Sequence, residues 1–201
     1  SVPHDIAGLA NLMGGKSKAA EKLNRQFQEA EKLGFTAGNS HSQELHPEYR
    51  RIPINYGNQP SIQTAFIFNQ LNRPDLTQFW SRKVVDKVFS GLSPATGYNG
   101  DEDQGLMGSL AVLMKIGLFQ MNGGTENDPV YELGSPIFDT IEINLHPQYY
   151  KGSKFTIKVN NNSLDNWAAK SASLNGKALD GYSVRHSEIV KGGKLEIVMG
   201  E

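Results

Sequence analysis

The sequence predicts an α+β chain, helices first and a small antiparallel β unit second, on three observations. Apolar residues recur at helical spacing from Ile6 to Phe119. After Gly123-Gly124 they alternate with polar residues between Gly, Asn and Pro turns. The helices follow one another through long polar loops, so the chain reads as part of an α/α toroid capped by a sheet. The division is a helical unit over 1–121 and a β-rich unit over 122–201.

Each element has its own signal. Ile6, Leu9, Ala10 and Met13 lie on one helical face, and Gly14-Gly15 stops the pattern. Lys16 to Leu33 is charged, with Ala, Leu and Phe at helical spacing, and Gly34 ends it. Phe35 to Pro60 is polar, carries Pro47, Pro53 and Pro60, and is too irregular for a regular element; loops of this length commonly carry function or pack on a neighbouring domain. Ser61 to Leu71 resumes helical spacing with Pro60 in the first turn, Asn72-Arg73-Pro74-Asp75 breaks it, and a further helix runs from about Leu76 to Phe89. Gln104 to Phe119 is the most apolar helix and is expected to be buried all round. Strands are predicted at Ile137–Leu145, Lys154–Val159, Ala172–Ala178 and Lys194–Met199, with Asn175-Gly176 as a tight hairpin turn.

Composition excludes several functions. A net charge of −1 without a basic cluster gives nucleic acid and anionic membranes little electrostatic hold. The absence of cysteine rules out disulfides, thiolate metal sites and a thiol nucleophile. No apolar run approaches the roughly 18 residues of a spanning helix. No G-x-S-x-G, P-loop or dinucleotide fingerprint is present. The N-terminal SVPHDIAGLANLMGG has no export-signal pattern, and without an initial Met the chain reads as the interior of a longer protein.

Two stretches could carry chemistry. In GYNGDEDQGLMGSL, residues 97–110, three acids sit between glycines directly before an apolar run. In a loop, alternate side chains can point the same way, so Asp101 and Asp103 could converge as a general base or cation ligands while Glu102 points elsewhere. Acids are equally at home as an N-cap or in a helix's first turn, so the capping reading stands beside it. In INYGNQPS, residues 54–61, Asn58 and Gln59 offer neutral oxygens suited to a hard cation such as calcium, and a glycine turn into a proline-started helix explains the same letters. His41, Glu44 and His46 lack zincin spacing and read as a surface loop, His4-Asp5 as a buried pair or a cap, and Trp80 as core.

The order SVPHDIAGLANLMGG, YGNQPSIQTAFIFN, GYNGDEDQGLMGSLAVLMKIGLF, PVYELGSPIFDTIEINL and GGKLEIVM resembles the C-terminal part of the glycoside hydrolase family 92 α-mannosidases, over nearly the whole chain. The resemblance implies an N-terminal β-sandwich followed by an (α/α)6 catalytic barrel in a calcium-dependent enzyme that removes α-mannose with inversion. It places the base at Asp103 with Asp101 as a close carboxylate partner, calcium at Asn58 and Gln59, and substrate contacts at Asn55 and Tyr56. Inversion needs a second carboxyl group as acid. The family's acid lies just upstream of the segment matching SVPHD, so the chain is expected to be an inactive fragment that associates with the missing β-sandwich and barrel segment or with itself. Where many members read GNEP this chain has Gln59, and Asn55-Tyr56 replaces the His-Glu of α-1,2-selective members; fewer negative ligands should weaken calcium. Bacterial members are commonly exported, which implies a periplasmic or extracellular place. The rival readings are a non-catalytic carbohydrate-binding module using Trp167, Tyr149 or Tyr150 as a stacking platform, and a helical-toroid glycosidase of another family.

Overall fold

A computed structural model describes residues 4–36, 52–94, 96–97 and 100–200. His41, Glu44 and His46 lie outside the described residues. Helix α1 spans Ile6–Leu12, and Asp5 caps it by accepting from Gly8 N at 2.7 Å, as the sequence suggests. Gly14 and Gly15, at φ 88° and 108°, turn the chain into α2, Lys16–Lys32, which buries Ala19, Ala20, Phe27 and Ala30.

The helix expected over 61–71 is broken. It consists of 3-10 turns at Gln59–Ser61 and Thr64–Phe66 and a single α-turn, α3, at Ile67–Gln70. A tertiary bond takes one group a continuous helix would use, as Ala65 N donates to the Tyr56 hydroxyl at 3.0 Å, and the Ser61 hydroxyl is tied back to Asn55 N at 3.1 Å. β-branched Ile62, Thr64 and Ile67 lower the helical preference further. Helix α4, Pro74–Val88, begins at the proline itself, whose missing N–H costs nothing in a first turn; Trp80, Val84 and Val88 point into the core.

Helix α5, Leu106–Ile116, ends at Gly117 in a left-handed C-cap. It is not buried all round: Met107, Leu110 and Met114 face the core, whereas Val112 is 59% exposed and Leu106 is 36% exposed. Among the described residues nothing covers that face. Leu118 and Phe119, expected in the helix, lie beyond the Gly117 turn in a strand.

The strands among the described residues are β1 Leu118–Phe119, β2 Val130–Leu133, β3 Thr140–Asn144, β4 Lys154–Asn160, β5 Ala169–Leu174, β6 Lys177–Ala178, β7 Ser183–Arg185 and β8 Gly193–Met199, with a short helix α6, His186–Ile189, between the last two. They form an antiparallel sheet in the order β1-β2-β7 and a five-stranded sheet in the order β3-β4-β8-β5-β6. The sequence predicts antiparallel pairing throughout, and this holds except that β4 and β8 run parallel. Both carry alternating buried apolar residues, Phe155, Ile157 and Val159 facing the same core as Leu195, Ile197 and Met199, and that shared face outweighs a simple meander. The hairpin at Asn175-Gly176 forms as predicted, with both residues at positive φ.

An aromatic cluster of Phe27, Phe35, Tyr56, Phe66, Phe68 and Trp80 centres the helical core, and Phe155, Ile157, Leu195 and Ile197 centre the second. Side chains from the helices tie the two together: Arg82 donates to Ser135 Oγ at 3.0 Å, to Asn162 Oδ1 at 2.9 Å and to Pro136 O, and Gln78 Oε1 accepts from Ala169 N at 2.8 Å. Among the described residues no helix is long and apolar enough to cross a membrane.

Candidate active site

The two stretches singled out in the sequence meet. Asp101 N donates to Gly57 O at 2.9 Å, which fastens the acidic loop onto the YGNQPS loop. The approach is so close that a Cβ on Gly100 would fall 2.5 Å from Gly57 Cα, so only glycine fits there. Asp101 is 8% exposed and lines a cavity of about 120 Å3 with Tyr56, Gly57, Gly97 and Lys115.

The three acids divide their work. Glu102 serves the start of α5 from three residues before its N-cap Gly105: its carboxylate accepts from Gly108 N at 3.2 Å and from Gly105 N. The capping reading is thus met by the middle acid, which leaves the outer two for other roles. Asp103 and Gln104 both adopt left-handed backbone, φ 58° and 59°, before Gly105 at 93°. Holding two non-glycine residues there costs on the order of 1 kcal/mol each, and such strain gathers at functional sites. Asp103 Oδ2 is buried and, among the described residues, has no hydrogen-bond partner. Asp103 borders a second depression, about 510 Å3, with Ile62, Leu106, Ser109 and Phe119. Asp101 and Asp103 therefore line separate cavities, because the left-handed turn at Asp103 swings its side chain out of the alternation of an extended loop.

The INYGNQPS residues mainly shape their own loop. Asn55 Oδ1 accepts from Gly57 N at 2.9 Å, and Asn58 Oδ1 accepts from Gln59 N at 2.7 Å. Tyr56, expected at the substrate, is placed in the core: it is 1% exposed, its hydroxyl accepts from Ala65 N, and burial pushes its pKa well above the ordinary phenol range. Gln59 is exposed. Calcium takes about six to eight oxygens. Here two neutral side chains are offered, one of them already engaged, and the described residues contain no group of three or more His, Asp or Glu placed to hold a metal. The side chains of Asn58 and Gln59 would thus supply two of those oxygens at most.

Sequence reasoning missed Gly57 and Gly100 as the contact that joins the loops. The visible signal was a glycine directly before the acids and another after Tyr56, both needed for close backbone approach. Trp80, read as core, is 2% exposed. Of the possible sugar platforms, Trp167 packs edge-on against Phe79 at 5.0 Å, while Tyr149 and Tyr150 are 72% and 37% exposed.

Against known proteins, residues 1–201 match the model of the glycosyl hydrolase family 92 catalytic domain. The chain is 30% identical over 202 residues to an uncharacterized secreted glycosidase of Arthroderma benhamiae. Its fold is similar to a family GH92 α-mannosidase of Bacteroides thetaiotaomicron in complex with mannoimidazole, with TM-score 0.78, 26% identity and 99% of this chain covered. It is also similar to a family GH92 inverting mannosidase of the same organism, with TM-score 0.75, 28% identity and 98% covered. In each case the chain spans about a quarter of the relative's own length: 22%, 24% and 26%.

Proposed function

The chain belongs to glycosyl hydrolase family 92, and on that premise we propose that it forms the base-carrying part of an inverting exo-α-mannosidase acting on terminal α-mannosides of glycans. The observation that carries this reading is Asp103: a strained loop residue with a buried, unpartnered carboxylate oxygen, in a loop fastened to the YGNQPS segment through Asp101 N and Gly57 O. A carboxylate without a donor is chemically available to accept a proton.

In the proposed reaction Asp103 takes a proton from water as the water oxygen bonds to the anomeric carbon on the face opposite the leaving group. The glycosidic oxygen leaves with a proton from a second carboxyl group, which inverting enzymes hold about 6.5–9.5 Å from the base so that water fits between. In this reading that acid lies on another part of a longer polypeptide, in keeping with a match to about a quarter of each relative's length. Asn55 and Tyr56 act here as positioning residues, through the loop shape they fix. Calcium is retained as a cofactor of the whole enzyme only, with Asn58 and Gln59 as partial donors. For the chain itself, adding calcium or a chelator is expected to shift the melting temperature by less than about 1 °C, since two neutral donors bind too weakly to stabilise it. The family's export habit and the secreted relative support a periplasmic or extracellular location.

The test is kinetic. In the full-length protein, Asp103→Asn should lower kcat on an aryl α-mannoside about 10²- to 10⁴-fold, the usual worth of a general base, while the chain alone turns over little. A full-length Asp103→Asn enzyme with unchanged kcat would remove the assignment. The exposed Tyr149 and Tyr150 favour one second reading, a stacking platform for sugar; saccharide binding that survives Asp103→Asn and vanishes in Tyr149→Ala would select it.

A further inference from the structure

Two clefts adjoin where α3 meets the three-stranded sheet, and they share no lining residue with the cavities of Asp101 and Asp103. The larger, about 430 Å3, is walled by Asn69, Asn72 and Ser183 among others. The smaller, about 230 Å3, is walled by Gln120, Asn122 and Glu126 among others. Gln70 and Glu132 line both, so the clefts form one groove with Glu132 at its middle.

Glu132 is held in place. Asn69 Nδ2 donates to its Oε2 at 3.0 Å and to Leu133 O at 3.2 Å, and the Gln70 side chain donates to the carboxylate as well. Burial raises its pKa above the ordinary glutamate range, those donors opposing the rise. Among the described residues no Lys, Arg or His forms an ion pair with it. A desolvated carboxylate without a counter-ion is costly unless a ligand supplies further donors. The wall around it carries several carboxamides, which both donate and accept, beside Tyr182, Met121 and a second carboxylate, Glu126, and it contains no basic side chain that would favour an anion. Lys16 reaches one end only, donating to Asn72 Oδ1 at 3.2 Å.

We propose that this groove is a second carbohydrate site, in which Glu132, Gln70 and Gln120 hold a neutral, hydroxyl-rich saccharide segment away from the bond-cleaving site. The class of sugar rests on the mannosidase reading; the hydroxyl-rich chemistry rests on the groove. Paired hydroxyls give a carboxylate two donors at once, and carboxamides take the remaining ones.

The test is a titration of the whole chain with an α-linked mannotriose, followed through the side-chain amide resonances of Gln70, Asn72 and Gln120, with maltotriose and spermidine as comparison probes. Mannotriose should shift those amides, and Glu132→Gln, with its resonance dispersion retained, should weaken the binding at least about tenfold, the loss expected for a charge-assisted hydrogen bond. Gln120→Ala serves as a second variant should Glu132→Gln disturb the fold, and should weaken it measurably as well. If the groove amides stay still while backbone amides near Gly57 and Asp101 move, the groove is no sugar site and the mannosidase reading stands. If maltotriose shifts them and mannotriose does not, the groove stands as a saccharide site and the mannose assignment falls. A response to spermidine alone overturns the proposal in favour of a cation site.

Discussion

Gly100 shows how much a single missing side chain decides. Its Cα approaches the Gly57 backbone too closely for any Cβ, and what it meets there is main chain, which cannot rotate away. Gly100→Ala should therefore separate the two loops and break the bond from Asp101 N to Gly57 O. Urea denaturation should register a loss of about 1–3 kcal/mol, as for other overpacked sites, and kcat of the full-length enzyme should fall with it. Asp103→Asn should behave differently: asparagine tolerates left-handed backbone, so the melting temperature should stay close to that of the parent while kcat collapses. The acids were legible in the sequence as a group, because three carboxylates between glycines before an apolar run are conspicuous. Their division of labour was not, since alternation in a loop assumes extended backbone, and positive φ at Asp103 and Gln104 is invisible in the letters. The burial of Tyr56 was not legible for a related reason: its neighbours in sequence are loop-like, and only the packing of Phe27 and Phe35 against it shows how much of its ring lies in the core.

Elements with a strong period were legible and those shaped by distant partners were not. Helices α1, α2 and α4 follow from spacing and punctuation within two residues of their predicted ends. The segment after Pro60 has the spacing of a helix but loses its continuity to Tyr56 and Asn55, which lie outside any local window. β1, β2 and β7 are two to four residues long and carry no alternation worth reading. Arg82 is the chief link from α4 to the β-rich unit, holding Ser135, Pro136 and Asn162 with a half-buried guanidinium whose pKa burial lowers. Arg82→Ala should cost about 2–4 kcal/mol, from several charge-assisted bonds lost at once and the oxygens left behind them. Arg82→Lys should recover only part of this, because an ammonium cannot reproduce the planar fork; the urea midpoints of the two variants separate these effects.

Across the whole molecule, pH acts through a few unevenly placed carboxyls. Glu132 has a raised folded-state pKa, chiefly from burial, so the folded chain holds its proton more tightly than the unfolded chain. Its stabilising share is present below the unfolded value of 4.5 and is lost as pH rises through the folded one. Asp128 acts in the opposite sense: bonds from the Ser187 backbone and hydroxyl lower its pKa, and that contribution disappears as pH falls. Melting curves across the acidic range should therefore show Glu132→Gln losing less stability than the parent between that range and neutrality. If the variant tracks the parent throughout, burial of Glu132 carries no such cost. The mixed sheet has a consequence for how the protein is made. β8 leaves the ribosome after β4 and β5, yet it lies between them. Until it arrives, the facing edges of β4 and β5 stand unpaired in the nascent chain, which makes the interval before it the moment when a chaperone matters most.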